Sequence, residues 1–328
     1  MDEKLMQQMR EFLSDYYGVD IQQAVCKYST QNYAFIFPDK PYMIRVSMTP
    51  RKNRREILSE LMWVDDLKQF KQTICEPETS LRDKIIEEFV IDGNTYRASM
   101  FRTARGNVQA TTEITPMFFI CVGELLGMIH KVSTDEQKLG MHYQRKSMQE
   151  FNSERRAQVW NLLDEEQKKK IDVILDKIDA LPKKTGVYGL CHGDFHMDNF
   201  FVEANNIWLF DFDSCMYAHY MYDVVTIIVD CLQKGYKRGK DCRKIIEEDI
   251  MPYFKIGYCL NKECGEDYWD ALELFVNYRI AVIVMALKEI KTCGVRDNLD
   301  EVRQFYENIF AADDCIDAMT AALKGGNA

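Results

Sequence analysis

The spacing of apolar residues along this chain changes character several times before it settles. Residues 4–17 are polar and compatible with a helix. Short runs rich in aromatic and β-branched residues then predict strands at 24–28, 33–37 and 42–48, with the turn Pro38-Asp39-Lys40-Pro41 joining the last two. Over 54–69 the period becomes helical, placing Ile57, Leu61, Val64 and Leu67 on one stripe. Two further strands, 85–91 and 95–101, flank the turn Asp92-Gly93-Asn94. From about residue 114 the helical period dominates, beginning with 116–130 and its apolar face of Phe119, Val122, Leu126 and Ile129. Further helices are predicted at 153–162, 164–181, 222–235, 242–256, 267–290 and 299–323. A strand pair, 200–202 and 207–210 around a turn at 203–206, interrupts them. The pattern reads as α+β: a small antiparallel sheet with one helix over 1–103, then a larger, mostly helical region over 104–328.

Composition narrows the partners. At 328 residues, the chain has room for two domains. With 47% hydrophobic and 29% charged residues it can bury cores and is not a disordered type. A net charge of −10 argues against nucleic acid and fits a cationic small molecule, or an anion brought in with a metal ion. The basic runs at 51–55 and 234–244 read as solvated faces. The opening residues are acidic, with no apolar stretch behind them, so no signal peptide is expected. The longest uninterrupted apolar run, 280–287, is far too short for a membrane span. Eleven cysteines without a CxxC pair read as reduced thiols, and a cytoplasmic location is expected.

The candidate chemistry is concentrated in residues 190–213, LCHGDFHMDNFFVEANNIWLFDFD. In the predicted hairpin, Asn199 enters the first strand and Asp211 leaves the second. Paired strands lie about 4.8 Å apart, so an amide oxygen and a carboxylate there could share one cation. Such hard oxygen donors suit Mg²⁺, which takes one or two carboxylates and completes its shell with water and phosphate oxygens. Asp194, just upstream, could orient a hydroxyl and accept its proton. His192 and His196 are four apart, but their strand-to-loop setting and the absence of the Glu of H-E-x-x-H argue against zinc.

HGDFHMDN at 192–199, followed by FDFD at 210–213, resembles the HGDxxxxN…DFD signature of the aminoglycoside phosphotransferase and choline kinase family, relatives of protein kinases. Tyr42-Met43-Ile44-Arg45-Val46 is similar to the third strand of that family's nucleotide lobe, and Glu60 falls on the following helix. Leu125 to His130 looks like its L-x-x-x-H helix, and Tyr222-Asp223-Val224 like its later Tyr-Asp step. The resemblance spans roughly 25–290. It implies a two-lobed protein-kinase-like fold, with 1–103 as the nucleotide lobe and 104–328 as the catalytic and substrate lobe. It also implies an ATP- and Mg²⁺-dependent phosphotransferase, with GTP as an alternative donor, acting on a hydroxyl of a small, cationic, amine-bearing molecule. An aminoglycoside, a choline-like amino alcohol, a sugar and homoserine all remain open.

By the same resemblance Asp194 is the catalytic base, Asn199 and Asp211 hold the metal, and Arg45 with Glu60 meets the nucleotide phosphates. Phe101, Arg102 and Ala104 belong to the hinge that holds adenine. Asp213 would support the metal site or meet a second ion. His192 and His196 would brace the loop, and Asp223 would anchor it. Arg45 stands where many relatives have Lys, and the loop at 28–32 has no glycine. The second departure favours a metabolite kinase over a protein Ser/Thr kinase of the same fold; a non-catalytic binding protein is the other alternative. Tyr217, Tyr220, Tyr222, Tyr268, Trp269, Phe275 and Tyr278 are core by their spacing. Alternatively, some could line an acceptor pocket where Glu273 holds an ammonium group.

Overall fold

The computed structural model describes residues 3–28, 32–48, 53–290 and 299–325. Residues 29–31 of the loop at 28–32, and 51–52 of the first basic run, lie outside them. In chain order the first elements are α1 (Glu3–Tyr17), β1 (Val25–Tyr28), β2 (Asn32–Ile36), β3 (Tyr42–Met48), α2 (Arg54–Lys68), β4 (Pro77–Glu78), β5 (Glu87–Ile91) and β6 (Asn94–Arg102). There follow α3 (Pro116–Lys138), α4 (Met148–Val159), α5 (Glu165–Asp179), β7 (Tyr188–Cys191), β8 (Phe200–Glu203), β9 (Asn206–Leu209), β10 (Met216–His219) and α6 (Met221–Gln233). The chain then continues through α7 (Cys242–Lys244), a π-helical turn (Ile245–Ile250), α8 (Met251–Cys259), α9 (Leu272–Glu289), α10 (Leu299–Ala311) and α11 (Cys315–Gly325). These elements form two compact units. One comprises Met1–Asn107, Tyr143–Arg145 and Phe200–Asp213, and the other holds the remainder.

In the first unit the antiparallel order is β1-β2-β3-β6-β4, with β5 also on β6. Alternation along β3 buries Ile44 and Val46 in a core shared with Phe35, Phe89, Tyr96 and Ala98, and α1 closes it with Met9 and Leu13. The Tyr17 hydroxyl ties that helix to the sheet by donating to the Ala98 carbonyl at 3.0 Å. Asn53 and Glu56 start α2 with a reciprocal capping box. Its apolar stripe buries Ile57 and Leu61 against Ile86.

The second unit is built around α3, which is long and apolar enough to cross a membrane, but 72% of its apolar window is buried inside the protein. Its closest partner is α8. A Cβ on Gly123 would fall 2.2 Å from the Phe254 carbonyl oxygen, and one on Gly257 would fall 1.9 Å from that of Ile120, so only glycines permit this crossing. Along α6, Tyr222 to Val229 are all buried.

Several expected boundaries move, each for a local reason. The helix expected from 153 begins at Met148, because Ser147 and Glu150 form a capping box there. The helix expected to end at 130 continues to Lys138. The single helix expected over 299–323 is two, because the Asp314 carboxylate accepts the Ile316 and Asp317 amides and starts a new one. That expected over 267–290 opens as a 3₁₀ turn (Glu266–Trp269) before α9. Strands β7 and β10, absent from the expectation, pair as Tyr188↔His219 through Cys191↔Met216.

Candidate active site

The segment carrying HGDFHMDN leaves β7 and is locked from beneath. The Asp223 carboxylate, buried in the first turn of α6, accepts the backbone amides of His192 at 2.8 Å and Gly193 at 2.9 Å. His130 Nε2 lies 3.3 Å from the same carboxylate, and Nδ1 of His130 is 2.7 Å from the Tyr258 hydroxyl. Asp223 is therefore an anchor within α6 and not its N-cap. Gly193 adopts φ +83°, and a Cβ there would lie 2.1 Å from the Ser214 carbonyl oxygen, so the turn excludes every other residue. His192 Nδ1 accepts the Asp194 amide at 3.3 Å, and His196 Nδ1 accepts that of Asp198 at 3.2 Å. Both histidines thus brace the loop.

Asp194 projects from this frame with a third of its side chain exposed. His196 Nε2 lies 3.2 Å from Oδ2, and Arg279 Nη2 donates to Oδ1 at 3.3 Å. Burial would push this carboxyl up, but the hydrogen bond from His196 and the charges of Arg279, His196 and His192 hold it well below the usual carboxylate range. The group is an anion at any physiological pH. Asn199 closes the following 3₁₀ turn (Met197–Asn199), its Nδ2 donating to the Asp194 carbonyl at 2.9 Å. That leaves its side-chain carbonyl oxygen as the end suited to a cation. The turn is pinned by Asp230, which accepts the Met197 amide at 2.8 Å, while Lys234 bridges to Asp198 at 2.7 Å.

Asp211 belongs to the other unit, beyond β9. The observed hairpin pairs Phe200 with Leu209 and Glu203 with Asn206. Its turn is therefore Ala204-Asn205, not 203–206, with Ala204 in the left-handed region at φ 54°. The tighter turn adds the pair Glu203↔Asn206 to the ladder and leaves Val202 opposite Ile207, the register that a loop over 203–206 also gives. Asp211 itself turns at φ 62°, a conformation that Asp tolerates better than most side chains, and its carboxylate is half exposed.

In the same unit Arg45 and Glu60 form a buried fork. Nη1 and Nη2 donate to the two carboxylate oxygens at 2.8 and 3.0 Å. Arg45 Nη1 also lies 3.5 Å from Asp213 and 3.7 Å from Asp211. Burial alone would push the guanidinium down, but the charges of Glu60, Asp213 and Asp211 outweigh it and keep it protonated. Asp213, almost fully buried, accepts from Asn32 Nδ2 at 3.2 Å, and its backbone carbonyl accepts from Arg145 at 2.5 Å.

Phe101 and Arg102 end β6. The Phe101 ring lies under the Arg45 guanidinium at 4.9 Å. Arg102 spends its amide on the Glu76 carbonyl at 2.9 Å, and Thr103 spends its own on Pro41 at 2.9 Å. Ala104 follows, outside the strand. Tyr220, Tyr222, Phe275 and Tyr278 are core residues, as their spacing implied. Among the described residues ten cysteines are free thiols, and the one cluster with metal-ligand spacing is His130, Cys191 and Asp223. It is fully buried and spent on the Asp223 anchor.

The chain belongs to the phosphotransferase enzyme family, whose model matches residues 21–239, and is thereby a small-molecule phosphotransferase. It is 23% identical to the amicoumacin kinase of Bacillus subtilis (strain 168) over 281 residues, 84% of this chain and 82% of that protein. Among solved structures it resembles an amicoumacin kinase in complex with AMP-PNP, Ca²⁺ and Ami (TM-score 0.81, 19% identity, 95% of this chain and 93% of the other). It also resembles a microcompartment-associated aminopropanol kinase (0.71, 18%, 96% and 95%) and a spectinomycin phosphotransferase with ADP and spectinomycin (0.61, 18%, 97% and 98%). These likenesses establish the protein-kinase-like fold, with a small antiparallel sheet in one unit and a mostly helical second unit. Arg279 and Asp230 were absent from the sequence-based site. Neither lies in a motif, and only tertiary packing brings them to the loop.

Proposed function

We propose that the chain transfers a phosphoryl group from ATP, or GTP in its place, to a hydroxyl of a small amine-bearing molecule, with Mg²⁺ as cofactor. The observation that carries this is the carboxylate of Asp194: ionised, partly exposed, and aimed by His196 and Arg279 from a loop that Asp223 holds rigid. Such a group can align an acceptor hydroxyl and take its proton as transfer proceeds. Asn199 and Asp211 offer one amide oxygen and one carboxylate, a donor set that fits Mg²⁺. When bound, that ion would offset charge on the nucleotide phosphates. Arg45, fixed by Glu60, presents a permanent positive charge to the same phosphates. Residues 101–104 remain the proposed adenine hinge, with the Arg102 and Thr103 amides already spent. Because the transition state for phosphoryl transfer is loose, positioning and charge neutralisation supply most of the catalysis.

The deciding experiment is Asp194→Asn, assayed for turnover and, separately, for nucleotide binding by fluorescence titration. A loss of about 10³-fold in kcat with nucleotide affinity within about threefold is expected. Near-full activity in that variant would remove Asp194 from its role.

A further inference from the structure

The acceptor's chemistry can be read from what surrounds Asp194. Arg279, on α9, is mostly buried. Besides donating to Asp194, it donates through Nη1 to the Tyr222 hydroxyl at 3.1 Å, so its guanidinium is fixed in place. Its Nε is buried and makes no hydrogen bond among the described residues. On the other side of Asp194 stands His196. The side chains bonded to this carboxylate are therefore cationic or basic.

The acid expected to hold an ammonium group is committed elsewhere. Glu273 pairs with Arg243 at 3.4 Å and, with Trp269, Met251 and Ile316, lines a separate cleft of ≈ 320 Å³. Neither Asp194 nor Arg279 lines that cleft. An ammonium close to the reacting hydroxyl would face the Arg279 guanidinium and be repelled. A carboxylate at that position would be attracted by the guanidinium charge, held in place through the bonds of Nη1 to Tyr222 and Nη2 to Asp194.

We infer that the acceptor carries a carboxylate beside its hydroxyl, and that Arg279 is the residue that selects it. The inference rests on the proposed role of Asp194, and it narrows the acceptors left open by the sequence to a hydroxy acid or a zwitterion.

Two matched pairs of probes test it, L-serine against ethanolamine and L-homoserine against 3-amino-1-propanol, each pair differing only by a carboxylate. Affinities are read from ligand-induced thermal shifts with Mg²⁺ and AMP-PNP present. In the wild type the carboxylate-bearing member of at least one pair is expected to bind at least tenfold more tightly. Arg279→Gln should bring that ratio near unity, Arg279→Lys should retain part of it, and Glu273→Gln should leave it unchanged. Equal or tighter binding of the amino alcohols would overturn the inference, as would weakening of the amino alcohols by Glu273→Gln, or no shift with any probe. The wild-type ratio decides even if Arg279→Gln fails to fold. Nucleotide consumption is scored separately. Turnover of amino alcohols with no preference for carboxylates sinks this inference alone, whereas preference for carboxylates without any transfer sinks the phosphotransferase reading of Asp194.

Discussion

Arg45 shows what one side chain can decide. Its partner Glu60 is fully buried, so the pair is no surface ion pair of negligible worth. Removing one member strands the other charge in the interior. Arg45→Met should therefore cost about 3–5 kcal/mol in urea unfolding, while adding Glu60→Leu should recover only part of that, because buried Asp213 still loses the guanidinium beside it. Arg45→Lys keeps the charge but gives up one arm of the fork, so it should spare the fold and lower kcat/KM for ATP by about tenfold. His219 supplies the residue-level pH signature. Burial pushes this imidazole down to about 4, and its Nε2 has no hydrogen-bond partner among the described residues. The native state thus disfavours the protonated ring, whereas the unfolded chain takes up the proton near its ordinary value of about 6.5. Stability is full above that value and falls as pH drops from 6.5 towards 4, by roughly 3 kcal/mol in total. His219→Phe, packed against the rings of Tyr188 and Phe275, should flatten this acid limb when melting is followed from pH 7.5 to pH 4.5.

Among the elements, the short turn Met197–Asn199 is the telling case. It is too short to hold itself, and Asp230, a full turn and more into α6, supplies its fixed point. Asp230→Ala should raise the Mg²⁺ concentration for half-maximal activity about tenfold, as loss of outer partners of metal ligands does, with the KM for ATP little changed. An unchanged metal requirement would show that the turn holds its shape without Asp230. The same element shows what a sequence can disclose. HGDFHMDN was legible because its residues are contiguous and their roles follow from local spacing. Asp230 and Arg279 were not, being 33 and 85 residues from their partners and placed by the packing of α6 and α9. Strands β7 and β10 escaped notice because four-residue strands separated by the whole motif carry almost no periodic signal. The hairpin's tighter two-residue turn was missed because Ala204 enters the left-handed region without the glycine that announces such turns.

At the scale of the whole molecule, the residues proposed for nucleotide, metal and acceptor fall in different units: Arg45, Glu60 and Asp211 belong to one, Asp194 and Asn199 to the other. A chain of 328 residues in two units need not unfold in one step. A ligand that binds only the native arrangement stabilises it by RT ln(1 + [L]/Kd), about 2.7 kcal/mol at a hundred times its dissociation constant. Spread over the unfolding entropy of a chain this long, that amounts to about 4 °C in Tm. ATP with Mg²⁺ should therefore raise the midpoint by about that much. ATP with EDTA should give a smaller shift, because Asn199 and Asp211 then contribute nothing. An equal shift with and without the metal would detach both residues from nucleotide binding while leaving Arg45 and Glu60 in place.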